Sequence, residues 1–304
     1  MEVATIRIFA FGLMVAGTMW GQIGNIVVTN AASFQPGLPS NGSVGTIFCT
    51  GLSVQGVAIA HDVPLPFSLV GVSLTIGGMA APLFAVANLG GYQQINFQVP
   101  SETFGRNPDG TVPVVVSQNG LQSSANVAPS YSSGEFFRIG ETGFGVFQHA
   151  RDYSTVTSEN PAQPGETIVA YATGLPPAIP LVPTGQPAPS SPLSYVPMAY
   201  DADPRVGLPS LSYLDLIVDS PNIPQQVEIT NSGRSGALPI SFVGLTPGAV
   251  GLYQINFVWP QFPPGNARVR IEWLECVSHF IYICPSVVAN WSRQDSQMVL
   301  IPAG

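Results

Sequence analysis

No lysine occurs in this chain; all nine basic residues are arginine, and charged residues make up only 9% of 304, with a net charge of −8. Nothing in it can neutralise a run of phosphates, so nucleic acid is not an expected partner, and the acidity also disfavours docking on anionic lipid. Helical periodicity is missing too. No stretch carries apolar residues at i, i+3, i+4 and i+7 over several turns, and 32 glycines and 30 prolines would interrupt one that did. Long hydrophobic runs are absent except at the start, where Arg7 precedes the uncharged stretch Ile8 to Trp20. That stretch falls short of the roughly 20 residues a spanning helix needs and matches the apolar region of a secretory signal. Residues 1–21 are therefore expected to be a cleaved signal peptide, leaving no membrane span in a secreted or cell-surface protein.

Catalytic groups are scarce: three histidines, no lysine, and carboxylates scattered through turn-like sequence. No G-x-S-x-G elbow, H-E-x-x-H pair or phosphate-binding loop occurs. His61 and Asp62 are adjacent, but neighbours on a strand face opposite ways, and a solvated loop suits them better. His149, beside Arg151 and Asp152, reads as a surface or packing residue. The reading is non-catalytic and without a cofactor. Cysteine is rare as well. Cys276 and Cys284 flank seven residues that a hairpin would bring together, making them a disulfide candidate in an oxidising compartment. Cys49, inside Thr46-Ile47-Phe48-Cys49, suits a small buried hydrophobe.

What the chain does have is a strand written twice. Tyr92-Gln93-Gln94-Ile95-Asn96-Phe97-Gln98-Val99-Pro100 returns as Tyr253-Gln254-Ile255-Asn256-Phe257-Val258-Trp259-Pro260, with apolar residues at every second position, as a half-buried strand requires. An earlier strand repeats too: Gly42-Ser43-Val44-Gly45-Thr46-Ile47-Phe48 aligns without gaps on Gly165-Glu166-Thr167-Ile168-Val169-Ala170-Tyr171. The offsets are 174 − 51 = 123 for the earlier strand and 254 − 94 = 160 for the later one, so the second copy holds 160 − 123 = 37 extra residues between them. Between these landmarks Val72 to Gly78 is matched to Val227 to Asn231, and after them Val112 to Val116 to Ala267 to Ile271. Short strands separated by turn signals describe an all-β chain built as two small sandwiches. The boundaries expected are 25–130 for the first, 131–159 for a connecting segment whose aromatics should pack rather than swing free, and 160–304 for the second, with an insertion near 194–222.

That insertion concentrates tyrosines and acids. Tyr195, Tyr200 and Tyr213 could stack on sugar rings, or cover a sandwich edge. Asp201 and Asp203, with Asp215 or Asp219 closing the site, could give calcium hard oxygen ligands, or solubilise a Pro-rich turn.

Asn30-Ala31-Ala32-Ser33-Phe34, Tyr171-Ala172-Thr173-Gly174-Leu175, Pro187 to Leu193 and Gly244-Leu245-Thr246-Pro247-Gly248-Ala249-Val250-Gly251-Leu252 together resemble the uncharacterised C-terminal domain family of secreted Solibacter-type acidobacterial proteins. The resemblance runs from about Asn30 to about Ile271, and the segment from Trp273 onward departs from it. It implies exported, tandem immunoglobulin-like (IPT-like) β-sandwiches, and transfers no catalytic residues. The expected function is an extracellular or cell-surface binding or spacer module whose partner is an extracellular protein or a polysaccharide. The alternatives are a polysaccharide-active hydrolase using carboxylates of the insertion, and an envelope component assembling through strand edges.

Overall fold

The alternation in the doubled strand is burial: Ile95, Phe97 and Val99, and Ile255, Phe257 and Trp259, are each at most 1% exposed. A computed structural model describes residues 22–102, 105–130, 134–197, 212–220, 223–230, 238–261, 264–276, 291–295 and 299–303. Among them every regular element is a strand, mostly in antiparallel ladders, and no sheet closes into a barrel. The chain separates into two compact units.

Unit 1 holds β1 (Gly24–Asn30), β2 (Val44–Thr50), β3 (Gly56–Ile59), β4 (Ser68–Leu69), β5 (Val72–Ile76), β6 (Met79–Ala81), β7 (Leu83–Leu89), β8 (Tyr92–Gln98), β9 (Val112–Gln118) and β10 (Leu121–Val127). One sheet runs β1-β2-β8-β7-β3 and the other β10-β9-β5-β4, with β6 on β5. Their inner faces share one apolar core, Ile47, Ile95 and Phe97 from the first sheet and Leu74, Val114 and Val116 from the second, all at most 1% exposed. Each such side chain contributes on the order of 2 kcal/mol by leaving water. Gly45 sits opposite Phe97 on the neighbouring strand, and a β-carbon there would run into the Phe97 ring. Unit 1 also includes the short segments 182–188 and 248–251.

Unit 2 holds β11 (Glu135–Phe136), β12 (Phe147–His149), β13 (Thr167–Thr173), β14 (Ser212–Ser220), β15 (Ile223–Thr230), β16 (Leu238–Leu245), β17 (Tyr253–Val258), β18 (Gly265–Cys276), β19 (Trp291–Asp295) and β20 (Val299–Ala303). Its ladders form a single sheet, β11-β13-β17-β16-β15-β14-β18-β19, because a short parallel pairing of β15 with β16 joins what are two sheets in unit 1. β11 and β12 both pair with β13, so residues 135–136 and 147–149 are part of this sheet. Phe136 and Phe147, at 1% exposure each, stack tilted at 5.4 Å.

The two units repeat one another down to register. Ile47 pairs with Ile95 in β2–β8, and Ala170 with Ile255 in β13–β17, reproducing the offsets 170 − 47 = 123 and 255 − 95 = 160. β7 carries a bulge between Leu83 and Ala85; β16 carries the same bulge between Ile240 and Phe242, an offset of 240 − 83 = 157. The equivalent of β5, however, is β14. β5 pairs Leu74 with Val116 of β9, and β14 pairs Leu216 with Ile271 of β18, whereas β15 lies on β14 as β6 lies on β5. Matching Val72–Gly78 to Val227–Asn231 is thereby corrected: Val-Glu-Ile-Thr has strand alternation, but its slot in the sheet is the next one along. The offset at β14 is 216 − 74 = 142, so the 37 extra residues divide into 142 − 123 = 19 before β14, 157 − 142 = 15 between β14 and β16, and 160 − 157 = 3 before β17.

Candidate functional site

The slot that β3 fills beside β7 is filled in unit 2 by residues 194–196 beside β16. Val196 N–H donates to the Val243 carbonyl at 2.8 Å and Leu245 N–H to the Ser194 carbonyl at 2.8 Å, which puts Tyr195 opposite Gly244. Gly244 is required by that approach, since a β-carbon would strike the Ser194 carbonyl oxygen. The outer edge of Tyr195 is covered in turn by Ile179, through N–H to carbonyl bonds in both directions at 2.8 and 2.9 Å. Tyr195 is thus fixed by its backbone while its side chain remains 37% exposed. Of the other predicted aromatic positions, Tyr213 lies on β14 opposite Leu274 of β18, and Tyr200 falls outside the described residues.

Of the proposed calcium ligands, Asp215 and Asp219 fall on β14. Asp219 is 7% exposed and accepts a 2.6 Å bond from Arg268 Nε, its cross-strand partner on β18, so its carboxylate already has a cation. Asp215 stands opposite Glu272 of β18, which stands opposite Asp295 of β19, so three acidic residues occupy successive positions of one register row. Glu272 and Asp295 carry no motif; only knowledge that β14 pairs with β18 would have singled them out. Asp201 and Asp203 lie outside the described residues. Cys276 ends β18 opposite Trp291, and Cys284 lies outside the described residues. Among the described residues, no group of three or more His, Cys, Asp or Glu is placed to hold a metal ion.

The histidine expected to be a surface or packing residue is fully enclosed. His149, at the end of β12, is 0% exposed. Its Nδ1 lies 2.9 Å from Glu166 Oε2 and its Nε2 lies 3.1 Å from the Asn160 carbonyl oxygen. Both ring nitrogens therefore face acceptor oxygens. Glu166 further accepts from Arg151 at 3.3 Å and, through Oε1, from the Gln163 N–H at 2.5 Å. Beside it the Ser154 hydroxyl and amide hold the Asp152 carboxyl down to about 2. The cluster closes the turns on either side of residues 149–166. His61 and Asp62 are both exposed, the solvated loop expected of them.

In unit 1 the comparable cluster holds segment 182–188. Gln98 Oε1 accepts from the Gly185 N–H at 2.7 Å while its Nε2 donates to the Gly42 carbonyl at 3.2 Å, and Leu65 N–H donates to the Gly185 carbonyl at 2.9 Å. The Glu102 carboxylate accepts from both the Thr184 amide, at 3.1 Å, and the Thr184 hydroxyl. Burial acts to raise the Glu102 carboxyl, but the two Thr184 bonds outweigh it and leave it below the ordinary glutamate value. Cys49 is 5% exposed, and burial pushes its thiol up to about 12.

No protein-family model and no curated protein matches the chain. Among solved structures it is similar to BspA_C_WT, at 8% identity over 91% of this chain and 99% of that one, with a TM-score of 0.20. It is also similar to the endo-fucoidan hydrolase MfFcnA9 from glycoside hydrolase family 107, at 10% identity over 89% of this chain and 34% of that one, with a TM-score of 0.14. Neither likeness is close enough to carry an argument about this chain. No helix among the described residues is long and apolar enough to cross a membrane.

Proposed function

We propose that the chain is an exported, non-catalytic pair of immunoglobulin-like β-sandwiches of the Solibacter-type family, acting as an extracellular or cell-surface binding and spacer module. The observation that supports this best is where the best-defined titratable groups are spent. His149, Glu166, Glu102 and Asp219 each hold a neighbouring segment or strand through short hydrogen bonds, whereas a catalytic base must keep a proton site for its substrate. Binding would fall to exposed groups on fixed backbone, of which Tyr195 is the defined example. A panel of polysaccharides and extracellular proteins tests it: Tyr195→Ala should weaken whichever ligand binds by about tenfold, the loss of one aromatic contact of about 1–1.5 kcal/mol. Binding untouched by Tyr195→Ala would remove Tyr195 from the surface, and turnover of any polysaccharide would overturn the non-catalytic reading.

A second reading, a polysaccharide-active hydrolase, draws on the row Asp215–Glu272–Asp295. Like charges directly opposed across strands cost stability unless a proton or a cation is shared, and paired carboxylates are the working parts of glycoside hydrolysis. Reducing ends released by the wild-type chain and lost in Glu272→Gln would establish it.

A further inference from the structure

The duplication supplies a comparison for one sheet edge of unit 1, that of β3. β3 ends its sheet, pairing only with β7. Ala60 N–H donates to the Phe84 carbonyl, so by antiparallel alternation Ala58 points its backbone groups at β7, and Val57 and Ile59 point theirs outward. Val57 stands opposite Ala87, and Ala87 corresponds to Gly244 through 244 − 87 = 157, so Val57 occupies the position of Tyr195 and Ile59 that of Pro197. In unit 2 this edge is closed twice over. Ile179 pairs with Tyr195 through two backbone bonds, and Pro197 has no N–H to offer beyond it. In unit 1, among the described residues, neither device is present: no backbone partner covers Val57 or Ile59, and the stretch from Gly56 to Ala60 has no charge and no proline to guard it. Val57 is 42% exposed, and the chain beyond it exposes Val63, Phe67 and Val70 at 55%, 46% and 50%.

We propose that β3 is a docking edge for an extended, uncharged segment of another protein, which adds antiparallel to it through the backbone groups of Val57 and Ile59. The chain's own covering segment, Leu175-Pro176-Pro177-Ala178-Ile179-Pro180, models the occupant's chemistry: apolar, uncharged and extended. In its register Ile179 lies opposite Tyr195, so Pro177 falls opposite Pro197 and the pairing stops at one residue pair. On β3 the second pair is available, since Ile59 has an N–H where Pro197 has none. The surface is distinct from that of Tyr195, so failure at one leaves the other standing.

The test uses the full chain and two capped peptides, Leu-Pro-Pro-Ala-Ile-Pro-Leu-Val and Leu-Pro-Val-Ala-Ile-Pro-Leu-Val. Both should perturb the β3 resonances, the second binding at least fivefold more tightly because its valine restores a donor opposite Ile59, and both should slow amide exchange at Val57 at least tenfold. Val57→Pro removes only the outward donor and leaves the β7 ladder intact; it should weaken binding at least tenfold with the melting temperature little changed. If that variant fails to fold, the second peptide N-methylated at its isoleucine takes its place and should not bind. No perturbation of β3 at millimolar peptide, equal affinity of the two peptides, or binding that survives both modifications overturns the proposal. So does a concentration-dependent dimer of the chain that Val57→Pro dissolves, which would give the edge to a second copy.

Discussion

Replacing Glu166 with alanine separates a structural His149 from a reactive one. The substitution removes the acceptor of His149 Nδ1, of Arg151 and of the Gln163 N–H at once. The three losses are unequal. Arg151 is more than half exposed, so its share is at most a few tenths of a kcal/mol, and the Gln163 amide lies in an exposed turn where water replaces the lost bond. His149 has no access to water, so its orphaned nitrogen carries most of the cost, about 2–3 kcal/mol. With a urea dependence of about 2 kcal/mol per molar for a unit of this size, the unfolding midpoint should fall by roughly 1–1.5 M. Fluorescence of the buried Trp259 reports unit 2 directly. Arg151→Ala, measured the same way, should shift the midpoint by less than about 0.3 M. A Glu166→Ala midpoint within that same small margin would refute the assignment of His149 as a buried clasp and reopen a chemical role for it.

Three further outcomes are expected. Cys49, with a thiol pushed up to about 12, has about one thiolate in ten thousand at pH 8; iodoacetamide should leave it unmodified in the native protein and label it in denaturant, and rapid native labelling would contradict its burial. Phe97→Ala and Phe257→Ala should each cost about 3–5 kcal/mol, the first lowering the unfolding transition of unit 1 and the second that of unit 2, as scanning calorimetry would resolve; a large cost in only one would mean that the paired registers do not imply equivalent packing. Glu102 is held below its ordinary value in the folded state, so its contribution is present above the unfolded value near 4.3 and is lost as pH falls through the lower folded one; the Thr184 amide resonance should titrate below pH 4.3, and a transition above it would reverse the sign.

The doubled strand and its register could be read from the sequence because alternation and two offsets are local quantities, and the pairs Ile47–Ile95 and Ala170–Ile255 fall where those offsets put them. The total of 37 extra residues was equally legible; their division was not. Tyr-Leu-Asp-Leu-Ile-Val-Asp falls within the expected insertion because the sequence match gives the slot of β5 to Val227–Asn231, yet Leu214, Leu216 and Val218 are buried and Asp219 is neutralised by a partner 49 residues away. The same limit leaves His149, beside Arg151 and Asp152, legible only as a surface or packing residue, and the structure makes it the second. Its burial depends on Glu166, seventeen residues on, which no local pattern connects to it. The Glu102–Thr184 bond spans 82 residues and has no sequence signature at all.

Two copies with one register and one bulge position constrain where they can differ. The shared bulge lets Leu83 and Val86, and likewise Ile240 and Val243, align with the inward Phe-x-Ile positions of the next strand; moving it would turn half of β7 or β16 inside out. β2, β8 and β7, and their counterparts β13, β17 and β16, therefore cannot change pairing without losing the core. β3, beyond β7, is under no such restraint, because its side chains are exposed or half-buried and it pairs on one side only, whereas residues 194–196 beyond β16 pair on both. Here the copies part: Val57 against a covered Tyr195, Ile59 against Pro197, Ala87 against a Gly244 that admits a closer neighbour. These differences, on pairings that the two copies share, separate a closed edge in unit 2 from an open one in unit 1.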